Sequence, residues 1–157
     1  MNYWLFKSEP DCFSFDDLLA SPKQTAEWDG VRNYQARNFM RDQMKTGDLG
    51  IFYHSNCTPP HAIGTVEIVR EGYPDFTAWD PQSDHPDEKS TPQNPRWFMV
   101  DVQAKQKFGT PVSLAAMKEL KELEGMQLLK PGNRLSVMPI EKQHFEFLCQ
   151  LGGIAKK

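Results

Sequence analysis

The stretch Gly47-Asp48-Leu49-Gly50-Ile51-Phe52-Tyr53-His54-Ser55 decides the fold. Leu49, Ile51 and Tyr53 alternate with Gly50, Phe52 and His54, so apolar side chains point to both faces, as in a central strand covered on either side. Ser55 to Pro60 then reads as a loop. Ala62 to Val69 alternates again, and the two runs predict an antiparallel hairpin. Upstream, Tyr3-Trp4-Leu5-Phe6 is a short aromatic run of high β propensity that stops at Lys7-Ser8-Glu9-Pro10. Pro10 restricts Glu9 to extended backbone, which places Lys7, Ser8 and Glu9 at a strand end. There they either meet a cleft or form a surface ion pair.

Ser14 with Asp17 three residues later resembles a capping box for a short helix through Leu19 that ends at Ser21-Pro22. Thr25 to Trp28 predicts a second short strand, and Asp29-Gly30 a turn. A tryptophan just ahead of a turn is expected at a cleft. Asn33 has the side chain of a helix cap, and Ala36, Met40 and Met44, with Phe39 beside them, form one apolar stripe. Arg37, Arg41 and Lys45 form a basic stripe on the same helix, either a solvated face or a contact for phosphates. Tyr73 to Arg96 carries five prolines without periodicity, so it is a functional loop or locally disordered. Trp79 in its middle either folds over a pocket or pins the loop to the body.

Beyond the loop, Trp97 to Phe108 predicts a strand with Phe98, Val100 and Val102 on one face. Ser113 caps a helix bearing Leu114, Met117, Leu120 and Leu123. Gly132-Asn133-Arg134 is a turn, Leu135 to Val137 a strand ending near Pro139, and Glu141 to Leu151 a closing helix with Phe145 and Leu148 inward and Gly152-Gly153 as its stop. This order predicts an α+β domain, a curved antiparallel or mixed sheet of partly closed barrel form flanked by short helices, rather than a doubly wound parallel sheet.

The chain has 157 residues with 39% hydrophobic and 25% charged residues, the profile of one ordinary globular domain spanning residues 1–157 and expected to be monomeric. No apolar run approaches a membrane span and no basic leader precedes an apolar stretch, so a cytoplasmic or nuclear protein is expected. Cys12, Cys57 and Cys149 have no paired spacing and suit a reducing compartment. The net charge of −3 excludes a generic nucleic-acid coat, which relies on many phosphate contacts. One local site for a single base fits better.

His54, Cys57 and His61 are compactly spaced but lack the further ligands of a structural zinc site. Cys57 with either histidine has no legible orienting group or oxyanion donor. No glycine-rich phosphate loop is present, so neither ATP nor NAD is expected, nor any other cofactor. Trp28, with Trp79 or Tyr53, offers aromatic walls for a flat ring. Lys7, Ser8, Glu9, Asn33, His54 and Ser55 offer donors and acceptors for its edge.

The ordered blocks W-L-F-K-S-E-P from Trp4, W-D-G-V-R-N-Y-Q-A-R-N from Trp28, G-D-L-G-I-F-Y-H-S from Gly47, P-R-W-F-M-V-D-V from Pro95 and G-N-R-L-S-V from Gly132 resemble EVE-domain proteins over nearly the whole chain. The resemblance implies a PUA-like pseudo-barrel, kinship with YTH and ASCH domains, and non-catalytic recognition of a modified cytosine, such as 5-methylcytosine or 5-hydroxymethylcytosine, in DNA or RNA. It implies that Lys7 and Ser8 match the Lys-Ser pair ending the first strand of YTH domains. Trp28 then corresponds to a cage tryptophan, and Tyr53, His54 and Ser55 line the same pocket. Trp79 is a second wall by position only. Glu9 stands where YTH domains have Asn, and a carboxylate acceptor suits the cytosine N4 amino group. Arg32, Arg37 and Arg41 are the expected phosphate contacts. The alternative is an enzyme acting on a nucleotide or modified nucleoside, with Lys7, Glu9 and His54 as acid/base groups.

Overall fold

The computed structural model describes residues 1–154. Six strands, β1 (Tyr3–Ser8), β2 (Thr25–Glu27), β3 (Leu49–His54), β4 (His61–Pro74), β5 (Phe98–Ser113) and β6 (Val137–Ile140), form one mixed sheet in the order β2-β5-β4-β3-β1-β6. Four short helices accompany them: α1 (Phe15–Ala20), α2 (Tyr34–Asn38), α3 (Leu114–Lys118) and α4 (Lys142–Leu151). The predicted hairpin of β3 and β4 is antiparallel, with Leu49 opposite Glu67 and His54 opposite His61. Among the described residues β2 and β6 are the two edges, so the sheet stays open.

β1 and β3 run parallel and in register, Trp4 beside Gly50, Lys7 beside Tyr53 and Ser8 beside His54. The long excursion through α1, β2 and α2 allows this crossover. The pairing fixes two faces. Trp4, Phe6 and Phe52 share one, where Trp4 packs on Phe39 and both phenylalanines meet the edge or face of Trp28. Leu5, Ile51 and Tyr53 share the other, where Tyr3 packs on Phe145 of α4. Both sets belong to one buried apolar cluster. Asp48, 3% exposed, joins the strand starts by accepting from the Asn2 N–H, the Trp4 indole and the Lys45 N–H, each at 3.0 Å.

The capping box of α1 forms as predicted, with Ser14 and Asp17 bonding reciprocally. Asn33 caps α2 by accepting from the Ala36 N–H, and Ala36, Met40 and Met44 are buried. Several boundaries differ from expectation. α2 passes into a π turn over Phe39–Gln43, which widens the backbone ring and shifts the basic stripe off helical spacing. β4 and β5 extend past Val69 and Phe108, with register shifts along their shared ladder. α3 is only five residues, followed by a 3₁₀ turn at Lys121–Leu123 that still buries Leu123. β6 includes Pro139 instead of stopping before it, which an edge strand tolerates because one side of its backbone makes no ladder. The Pro-rich segment is ordered, with a 3₁₀ turn at Phe76–Trp79 and with Asp75 and Ser90 buried.

Candidate functional site

The parallel ends of β1 and β3 set the site. Strand alternation puts Lys7 and Tyr53 on one face and Ser8 and His54 on the other. Lys7 is half-buried, its ammonium makes no bond or ion pair among the described residues, and burial lowers its pKa. The Tyr53 hydroxyl also has no partner there, and burial raises its pKa to about 12. Tyr53 is 2% exposed, so of the two only Lys7 is accessible from outside the chain.

Ser8 and His54 instead hold the turn between β1 and α1. The Ser8 hydroxyl donates to the Phe13 carbonyl at 2.5 Å, and the Phe15 N–H donates to His54 Nε2 at 3.1 Å. Since a backbone N–H can only donate, His54 carries its proton on Nδ1 and donates it to His61 Nε2, 3.2 Å away. His61 Nδ1 then donates to the Pro59 carbonyl at 2.8 Å. Burial, followed by the neighbouring His61, lowers the His54 pKa. The Ser55 N–H donates to the Ser8 carbonyl at 3.0 Å, so it too serves the turn. Ser8 and His54 therefore support the rim through their side chains, and Ser55 supports it through its backbone. The acid/base grouping of Lys7, Glu9 and His54 does not assemble, because Lys7 and His54 point to opposite faces.

Glu9 is exposed at the turn. Its Oε1 accepts from Asn56 Nδ2 at 3.1 Å and its Oε2 from Cys12 Sγ at 3.5 Å, so the carboxylate is held and still accessible. Asn56 takes a left-handed φ of 52, one reason the loop after β3 can deliver it there. Cys57 lies apart from the histidine chain, its thiol donating to the His54 and Pro59 carbonyls.

Trp28 departs from expectation. It is 7% exposed, edge-on to Phe6 at 5.1 Å, Phe52 at 5.5 Å and Phe13 at 6.4 Å. Its backbone N–H donates to the Val100 carbonyl of β5, and the three phenylalanines enclose the ring, which is a floor more than an open wall. Over the turn that follows lies the Pro-rich segment. Fully buried Asp75 accepts from the Gly30 N–H at 2.9 Å, from Thr77 and from Arg32 Nη1 at 3.0 Å. Burial alone would raise the Asp75 pKa, but these bonds outweigh it and hold it below the usual range. Arg32 also donates twice to the His85 carbonyl, at 2.7 and 3.3 Å. The His85 ring rests on Gly30, where any Cβ would come within 2.9 Å of it, and Gly30 has a φ of 79. His85 Nε2 lies 3.3 Å from Asp29.

Trp79 belongs to this strap and is half-buried. Trp97, at its far end, donates its indole N–H to Asp87 and stacks on Tyr34 with centroids 4.8 Å apart. The three arginines expected to meet phosphates all have acceptors inside the chain. Arg32 is bound as above, Arg37 donates to Asn38 and the Arg96 carbonyl, and Arg41 pairs with Asp42 at 2.8 Å. Asp75, His85 and Asn56 escaped the sequence reading. The only local signal was Asp75-Phe76-Thr77, a short Asx turn pattern.

The EVE domain model matches residues 2–151. The chain belongs to the EVE-domain family. It is 43% identical to mouse thymocyte nuclear protein 1 over 96% of its length and 73% of the relative's. Among solved structures, human THYN1 in complex with 5-methylcytosine-containing DNA superposes with a TM-score of 0.91 at 40% identity, covering 99% of this chain and all of that one. A protein from Pseudomonas syringae gives a TM-score of 0.90 at 43% identity, covering 96% of this chain and 99% of that one. In this EVE domain, Trp28 packs on Phe13 of the turn that Glu9 opens, and His85 of the strap rests on Gly30 in the turn that follows Trp28.

Proposed function

We propose that this EVE domain is a non-catalytic reader of a modified cytosine in DNA, 5-methylcytosine or 5-hydroxymethylcytosine. The observation that carries the reading is Glu9, an accessible carboxylate fixed by Asn56 beside an aromatic floor. A flipped cytosine presents its N4 amino group as a donor, which a carboxylate accepts, while its ring and 5-substituent need an apolar surface. The Trp28 floor with Phe13 supplies that surface, and Trp79 on the strap supplies the second wall. Lys7, unpaired at the same strand end on the other face, suits the sugar-phosphate next to the base. The human relative solved with 5-methylcytosine-containing DNA supports DNA as the nucleic acid.

The test is calorimetric titration of a duplex bearing one 5-methylcytosine into the wild-type domain and into Glu9→Ala. Glu9 is exposed, so the variant keeps the fold. Loss of a charge-assisted hydrogen bond predicts affinity at least about tenfold weaker. Unchanged affinity in Glu9→Ala rules out this mode of base reading, and preference for the matching RNA over DNA reassigns the partner.

A further inference from the structure

An open surface cavity, about 240 Å³, lies between the turn that opens α2 and the Gly132-Asn133-Arg134 turn ahead of β6. Asn33, Gln35, Gln127, Asn133, Arg134 and Leu135 line it, with Gly132. On a chain of net charge −3, this lining contains no carboxylate. The two asparagine oxygens are already taken, Asn33 Oδ1 by the Ala36 N–H at 2.9 Å and Asn133 Oδ1 by Gln127 Nε2 at 3.3 Å and the Leu135 N–H at 3.4 Å. The donors left open are the Asn33 amide nitrogen, the Gln35 amide nitrogen and the Arg134 guanidinium, beside the neutral oxygens of Gln35 and Gln127. Arg134 is exposed and, unlike Arg32, Arg37 and Arg41, has no hydrogen bond or ion pair among the described residues.

The cavity adjoins the strand-end site through the backbone. The Lys7 N–H donates to the Ser136 carbonyl at 2.8 Å, two residues beyond Arg134, and Asn33 follows Trp28 by five residues. A donor-rich hollow with one free guanidinium fits an anion with several acceptor oxygens. Its volume is that of about eight waters at ~30 Å³ each, room for a phosphodiester with part of its sugar.

We infer that this cavity seats a backbone phosphate of the bound nucleic acid, with Arg134 as its charged contact and Asn33 and Gln35 as neutral donors. The phosphate contact is thereby assigned to the 132–134 turn and not to the α2 stripe. The inference rests on the proposed base reading, since it places the phosphate next to the recognised nucleotide.

The experiment measures the salt dependence of binding for a 5-methylcytosine duplex and its unmethylated counterpart, alongside binding of the nucleoside 5-methyl-2′-deoxycytidine, in wild type, Arg134→Ala, Arg134→Lys and Lys105→Ala. Lys105 on β5 pairs with Glu67 on β4 and serves as a control for net charge. Arg134→Ala is expected to weaken duplex binding roughly tenfold and to lower the slope of log K against log salt by about 0.9, one phosphate contact's share. Arg134→Lys keeps the slope, Lys105→Ala leaves it unchanged, and nucleoside affinity is the same in all four. Wild-type slope and affinity in Arg134→Ala overturn the inference and leave the base reading standing. A lowered slope in a protein that ignores the methyl group supports the phosphate seat while the base reading falls. Binding of neither duplex nor nucleoside by wild type overturns both.

Discussion

His54 shows how one side chain couples the end of β3 to the start of α1. The bond from the Phe15 N–H requires an unprotonated Nε2, so protonating His54 breaks it. Its pKa in the fold is lowered from 6.5 by burial and by His61, with Lys107 acting the same way and Asp16 and Asp17 opposing. A lowered pKa means that the unfolded chain binds the extra proton first. The stabilisation is therefore full above about pH 6.5 and is lost as pH falls through the folded value. Thermal melts from about pH 7.5 down to 5 should show the wild-type Tm dropping more steeply than that of His54→Gln, whose amide oxygen can still accept from Phe15 without titrating. Parallel profiles would remove His54 from this role. The same bond explains why the sequence was a poor guide here. His54 reads as a strand-end group facing a pocket, and only the register of β1 on β3 reveals that it faces Phe15.

At the scale of elements, the strap over Gly30 is the feature that holds the candidate site in shape. Arg32 joins Asp75 and the His85 carbonyl, residues 43 and 53 positions away. Arg32→Ala leaves the buried Asp75 carboxylate without its cation, a loss of about 3 kcal/mol of stability. Urea unfolding should show that loss, and limited proteolysis should cut within residues 75–87 sooner than in wild type. Wild-type stability and an uncut strap would show that Arg32 does not hold it. Strands were legible because alternation is local: β1, β3 and the first half of β4 stand where Tyr3–Phe6, Leu49–His54 and Ala62–Val69 placed them. Caps were legible for the same reason, since Ser14–Asp17 and Asn33–Ala36 act within three residues. The order of the strap was hidden, because its partners are far away in sequence and its five prolines carry no period. The partial burial of Trp28 was hidden too, because the rings around it come from β1, β3 and the turn before α1.

Across the whole molecule, charge and aromatic packing divide the surface. The chain is acidic overall, and several of its cations are paired, as Lys45 with Glu71, Lys105 with Glu67 and Lys107 with Asp16 show. Lys7 and Arg134 are among the cations without a partner among the described residues, and they lie on either side of the contact between β1 and the residue ahead of β6. Such an arrangement favours a few placed contacts over broad adhesion, and specificity must then come from the base itself. The central claim is that this specificity includes the cytosine 5-substituent. The direct measurement is the ratio of affinities of the wild-type domain for two duplexes identical except for one 5-methyl group, taken at fixed salt. Burial of one methyl at ~0.8 kcal/mol predicts binding at least about fourfold tighter for the methylated duplex. Equal affinity for the two would contradict the account.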